Sequence, residues 1–215
     1  MEKQFTTEEL DRIKAAVREA ESTISGEIVP VVVQRSGFYS IANYRGALGM
    51  AGITFLTIVM VDRYSVNWAI LDPLLIFLMV ILGGVFGALV THFSPMIKRQ
   101  LLSQVHIDQA TRKRAETTFL EEEVFNTRHR TGILIFISLF EREVIVMADR
   151  GISKVVEQKE WDKMVSTVID KIRAGKIVEG IIAAVHQCGA LLAEKGFHKT
   201  ADDLNELRDD LRIEE

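Results

Sequence analysis

Three observations predict an α/β fold: a small three-layer α/β/α domain with a mixed sheet, interrupted by an inserted transmembrane helical hairpin. Apolar, β-branched runs of strand length stand at 27–34, 131–140 and 144–148. Amphipathic helical patterns flank these runs. Between the first and second runs lie two long apolar segments, 46–61 and 73–90, separated by a short polar link at 62–67.

The apolar pair sets the organisation of the chain. A helix rises ~1.5 Å per residue against a hydrocarbon core ~30 Å thick. The second segment therefore spans, and the first spans if Tyr44, Arg45 and Val61 sit at the interfaces. Neither carries a charge at its middle, where one would cost at least ~2.5 kcal/mol. Tyr39, Tyr44, Tyr64, Trp68 and Phe93 flank the segments, as expected of rings in the headgroup layer. Asp72 before Pro73 is a helix-start signal, a cap followed by proline at the first helical position.

The elements follow in order. Thr6 and Glu9 fit a capping box, and Leu10, Ile13, Val17, Ala20 and Ile24 recur at helical spacing, with Gly26 as the stop. The run 27–34 is a strand with both faces covered. Pro30 within it lacks a ladder donor, which predicts an edge strand or a bulge. Residues 96–130 read as one long helix or two. The runs 131–140 and 144–148 are separated only by Glu141-Arg142-Glu143, too short for a crossover, so they pair antiparallel. A helix at 160–173 turns Trp161, Met164, Val165, Val168, Ile169 and Ile172 inward; Gly175 punctuates it, and an apolar helix at 177–194 packs centrally. The charged tail 199–215 reads as a short helix. The helical connection from first to second strand implies a parallel, right-handed crossover.

The expected division is therefore 1–36 as the first part of the domain, 37–45 as connector and 46–61 as the first span. The link 62–67 lies outside the cell, 68–93 carries the second span, 94–198 completes the domain and 199–215 is the tail. Small residues cluster where the first span enters and the second leaves: Ala47, Gly49, Ala51 and Gly52, then Gly83, Gly84, Gly87 and Ala88. Antiparallel spans put these at one depth, so Gly83, Gly84, Gly87, Ala47 and Ala51 are the expected helix-packing residues. Larger residues such as Phe55, Leu56, Phe77 and Leu78 then face lipid. The link has only Arg63, against Arg35, Arg45, Lys98 and Arg99 on the other side. The positive-inside rule places both ends in the cytoplasm of an inner-membrane, two-span protein. No basic tip with an apolar run precedes residue 46, so the first span is expected to act as its own insertion signal.

Composition removes several function classes. Net charge is −4, so nothing in the composition suggests a nucleic-acid binder. A single cysteine, Cys188, allows no internal disulfide and sits in an apolar pattern, where it reads as packing rather than nucleophile. His92, His106, His129, His186 and His198 are scattered without metal-ligand spacing, and no phosphate loop or nucleotide fingerprint is present. Neither a cofactor nor a metal is implied. Arg112-Lys113-Arg114 and Glu121-Glu122-Glu123 read as solvated helix faces, with anionic lipid a second use of the first. One constellation carries chemistry. Parallel first and second strands with an antiparallel third bring Glu27, Asp149 and Arg150 to one sheet end, with Ser153 capping a following turn. They define a candidate ion or phosphoester pocket; the plainer reading is an Arg150 salt bridge with turn and cap residues.

Three stretches together resemble the TPM domain family. They are Ser25-Gly26-Glu27-Ile28-Val29-Pro30-Val31-Val32-Val33, Arg130-Thr131-Gly132-Ile133-Leu134-Ile135-Phe136-Ile137-Ser138-Leu139, and Val144-Ile145-Val146-Met147-Ala148-Asp149-Arg150-Gly151-Ile152. Trp161, the helix at 180–192 and Asp203-Leu204-Asn205-Glu206-Leu207 are similar to its membrane-bound bacterial branch. The resemblance implies an α/β/α sandwich of the kind found in photosystem upkeep and receptor accessory proteins. Some members carry weak phosphatase activity and metal binding, with acids in an Asn-Asp-Gly-like turn before the second strand. The matching stretch here, His129-Arg130-Thr131-Gly132, lacks the acid, which counts against both. The expected function is a two-pass membrane protein presenting an interaction or assembly module, without catalysis of its own. Its partners would be the lipid bilayer and a membrane protein, or a second copy. The alternatives are a membrane-tethered, weak metal-dependent phosphatase, and a small subunit of a channel or transporter assembly.

Overall fold

Capping chemistry and apolar periodicity decide where the elements begin. The computed structural model describes residues 5–64, 72–200 and 205–214. In chain order these form α1 (Thr7–Glu21), β1 (Glu27–Val33), α2 (Ser40–Tyr64), α3 (Pro73–Phe93), α4 (Pro95–Gln100) and α5 (Gln104–Glu121). There follow β2 (Gly132–Ser138), β3 (Glu143–Ala148), α6 (Arg150–Ser153), α7 (Gln158–Arg173), α8 (Ile177–Glu194) and β4 (Arg212–Glu214). The chain divides into two compact units, residues 1–37 with 108–215, and residues 38–107.

In the first unit the sheet order is β3-β2-β1-β4. β1 and β2 run parallel, with Glu27 opposite Gly132, and β2 and β3 run antiparallel, with Ile133 opposite Ala148. One face packs Ile28, Val32, Ile133, Ile135 and Ile137 against α1, α7 and α8 through Ile13, Val17, Trp161, Val168, Ile181 and Val185. The other face packs Val29, Val31, Leu134 and Phe136 under Ala115 and Phe119 of α5, with Val124 and Leu207. The sheet therefore sits between two layers, and β1 and β2 are buried at every position. α1 opens on the expected capping box, Thr6 with Glu9.

Several expectations are corrected. Pro30 lies in a strand paired on both sides, not at an edge or a bulge. Glu27 donates its N–H to the Thr131 carbonyl and Val33 accepts from the Leu139 N–H, so odd-numbered β1 residues bond to β2. The missing Pro30 donor thus faces the β4 side, where pairing covers only Val31 to Val33, and no ladder bond is lost. The tail holds a fourth strand rather than a helix within its described part, because Val31 to Val33 leave a ladder edge for Arg212 to Glu214. α1 stops at Ser22 rather than Gly26, and Ile24 follows the helix in an isolated bridge to His198. Ser153 is the last residue of α6, which Asp149 caps.

In the second unit α2 and α3 pack side by side. Asp72 caps α3 by accepting the Leu74 N–H at 2.7 Å, with proline following. Both helices run past the apolar segments that announce them. Of the expected link, residues 65–67 lie outside the described residues, as do Trp68 and the tail residues Asp203 and Leu204. α2, α3 and α8 are long and apolar enough to cross a membrane. α8 is also a core helix, with Val178, Ile181, Val185, Cys188 and Leu192 buried. α2 and α3 instead expose Leu48, Phe55, Leu56, Phe77, Leu82 and Phe86.

The small residues of α2 and α3 meet as antiparallel pairing requires. A Cβ on Gly87 would run into the Gly46 carbonyl and Met50, and one on Gly46 would collide with Thr91. Gly83 abuts Thr54, and an ideal Cβ on Gly84 would lie 3.5 Å from the Ala51 Cβ and from the Ala47 carbonyl oxygen. Gly49 and Gly52 take no part: nothing approaches their Cβ positions within 4 Å.

Candidate functional site at one sheet end

Parallel β1 and β2 begin where antiparallel β3 ends, so the register brings Glu27, Gly132 and Asp149 to one rim of the sheet. The Asp149 N–H donates to the Gly132 carbonyl at 2.9 Å. Two glycines let backbones close in here. A side chain on Gly132 would strike the Val124 carbonyl, and one on Gly151 would lie 2.6 Å from the His129 and Arg130 carbonyl oxygens.

Each acid on this rim is engaged by its surroundings. The Glu27 carboxylate, nearly buried, accepts the backbone N–H groups of Glu206 and Leu207 at 3.1 and 3.2 Å. Asp149 caps α6 by accepting the Arg150 N–H at 2.6 Å. Its second oxygen lies 2.8 Å from the Arg130 Nε. Arg130, in the left-handed region at φ 57°, also sets its guanidinium over the Phe125 ring at 5.6 Å. The cation facing Asp149 is therefore Arg130. Arg150 is exposed, and no ion pair forms on it among the described residues. The expected pairing of Arg150 fails because α6 starts at that residue and its side chain leaves the rim. Only a backbone at positive φ turns Arg130 inward, and residue type does not announce that conformation.

Sequence reasoning also missed a third acid. Glu21, at the end of α1, is 7% exposed. One oxygen accepts the Ile28 N–H at 2.7 Å, while the other is buried without a hydrogen-bond partner. Burial, opposed by that hydrogen bond and reinforced by Glu27, pushes its pKa up to about 8. At neutral pH this carboxyl is largely protonated. Nearby Asp209, also buried, is held by the Arg18 Nε at 2.6 Å and by Asn205 at 2.6 Å. Among the described residues no three His, Cys, Asp or Glu converge as a metal cage.

The opposite sheet end holds a second polar cluster. Ser36 donates its hydroxyl to Ser138 at 2.8 Å and its N–H to Glu141 at 2.8 Å, and Ser138 donates to Glu141. The adjacent Glu143 has its pKa raised by burial and by a hydrogen bond with Asp108. Cys188 is fully buried, and burial raises its thiol pKa far from the nucleophilic range.

A mixed four-stranded sheet between helical layers, carrying an insert of apolar helices, defines an α/β sandwich with a candidate membrane anchor. Residues 102–191 match the family model of the TPM domain. The match covers the second and third strands and the helices around them, and the strands that announce the resemblance are the strands observed. The fold is also similar to the NMR structure of BA42 protein from the psychrophilic bacterium Bizionia argentinensis. The TM-score is 0.58 at 18% identity, covering 98% of this chain and 95% of that one. No curated protein matches the chain.

Proposed function

We propose that the chain is a two-pass protein of the cell inner membrane that presents its TPM domain to the cytoplasm as an interaction or assembly module for a membrane partner. It has no catalysis of its own. The observation that carries this reading is the state of Glu27. Both its oxygens hold backbone N–H groups of the C-terminal segment, so the acid serves to fasten Glu206 and Leu207 across the sheet. Asp149 caps α6 through one oxygen and faces the Arg130 guanidinium at 2.8 Å through the other, which is buried and accepts no hydrogen bond among the described residues. The apolar exteriors of α2 and α3 support the membrane anchor, since such surfaces are stable in lipid and not in water.

The test is a phosphatase assay on the purified full chain, with and without Ca²⁺ or Mg²⁺. Hydrolysis of p-nitrophenyl phosphate should stay at the buffer rate. Metal-stimulated hydrolysis that disappears in Glu27→Gln would overturn the reading and establish the phosphatase alternative. Orientation is tested separately by labelling intact cells with an impermeant maleimide. Tyr64→Cys should react and Ser22→Cys should not; Cys188 is buried and stays silent. The reverse pattern would place the domain outside.

A further inference from the structure

We propose that the groove along the outer edge of β3 is a docking site for an extended segment of a partner protein, which adds to the sheet as a fifth strand. The proposal rests on the interaction-module reading and names the surface that performs it. The hydrogen-bond register shows which groups are available. Asp149 and Gly132 are directly opposite and hydrogen-bonded, so Met147, Ile145 and Glu143 also bond inward to β2. The N–H and C=O groups of Val144, Val146 and Ala148 therefore point outward, where no backbone partner meets them among the described residues.

Native sheets blunt such edges with charge, proline, bulges or very short strands. The β4 edge follows that rule, with three residues of which Arg212 and Glu214 are charged. The β3 edge does not. Its outward positions are valine and alanine, it has no proline, and its six residues give a template of ~20 Å. Beside it runs a groove of about 840 Å³, between this strand and Val156, Trp161 and Val165. Its volume lies in the range of formed binding sites.

Charge selects the occupant. Glu157 and Asp162 line the α7 rim, and neither is in an ion pair among the described residues. The lining cation, Arg112, is neutralised by Glu116 at 3.1 Å. The groove thus favours alternating small apolar residues with lysine or arginine at the ends. A second copy fits less well. Two β3 strands paired about Val146 would set Glu143 opposite Asp149, and like charges directly opposite destabilise a ladder.

The probe is the synthetic peptide acetyl-Lys-Val-Thr-Val-Thr-Val-Lys-amide, titrated by fluorescence polarisation onto the full chain in detergent micelles. Saturable binding is expected, weakened about tenfold when the flanking lysines become glutamates or the central amides are N-methylated. Val146→Pro removes the outward N–H together with part of a side chain buried in the core, and should weaken binding about tenfold while a cooperative, though lowered, thermal transition is retained. Asp162→Lys, at an exposed helical position, should reverse the preference between lysine and glutamate flanks, and so tests the site even if the proline variant fails to fold. Absence of saturable binding, or binding indifferent to both variants, would overturn the proposal. A concentration-dependent dimer that Val146→Pro dissolves would also overturn it, making the edge a self-interface. If the peptide fails while the wild-type chain and Asp162→Lys still crosslink the same membrane protein, the module stands and its surface lies elsewhere.

Discussion

Glu21 and Asp149 are both buried acids, but they differ in partner, and the difference decides which substitution exposes the role of each. Glu21 has no salt bridge at its carboxylate among the described residues; Lys199 binds its backbone carbonyl instead and opposes the shift only in part. The folded pKa of Glu21, about 8, lies above the ordinary 4.5. Its contribution to stability is fully present below about pH 4.5 and is lost progressively as pH rises to about 8. Glu21→Gln keeps the acceptor for the Ile28 N–H and should remove that slope. The melting temperature should then gain relative to wild type as pH rises to 8, and a parallel decline in both proteins would show that Glu21 is not the titrating group. For Asp149 the decisive substitution is in its partner. Arg130→Ala leaves a buried carboxylate uncompensated and should cost roughly 1–3 kcal/mol in denaturant unfolding, whereas Arg150→Ala should stay within about 0.5 kcal/mol. The residue types at this rim were legible in the sequence. Their pairing was not, because it depends on positive φ at Arg130 and on Asp149 capping α6 four residues before the expected cap, Ser153.

At the scale of elements, the paired α2 and α3 discriminate between glycines that look alike in the sequence. Gly87→Ala drives a methyl into the Gly46 carbonyl, backbone against backbone, and should weaken the pair by ~1–3 kcal/mol. Gly84→Ala meets only ordinary contacts at 3.5 Å and should be nearly neutral. The same geometry suits a crosslink, because disulfide Cβ atoms lie ~3.5–4.5 Å apart. Ala51→Cys combined with Gly84→Cys should close within one chain under mild oxidation; a product found only as dimers would assign these glycines to an oligomer interface. Long periodic elements were the legible ones: α1, α7, α8 and the three apolar strands all follow from their patterns. β4 was not legible, since Arg212-Ile213-Glu214 has no period to read and forms only because β1 leaves it an edge. Pro30 misled for the related reason that a neighbouring strand's length, invisible locally, decides whether a missing donor matters.

For the molecule as a whole, the unit formed by residues 1–37 and 108–215 draws its central strand from the first piece. Replacing residues 38–107 with a short flexible linker should leave a soluble protein with one cooperative thermal transition. Removing residues 1–37 instead strips α1 and β1 from a sheet whose β2 and β4 both pair with β1. That fragment should aggregate, and a monomeric, cooperatively melting fragment would refute the interdependence.

The interrupted sheet also fixes an order of events in time. Ser36 and Glu141 meet across 105 positions of chain, so β1 is synthesised long before β2 exists to receive it. At roughly 5–20 residues per second, β1 waits about 5–20 s at the ribosome while α2 and α3 emerge. During that wait β1 has only α1 for shelter. The membrane segments are therefore available for insertion before the domain can fold, and a ribosome stalled between them leaves an apolar strand without its sheet. Premature termination inside the insert should thus yield a product for quality control to degrade rather than a half-functional domain.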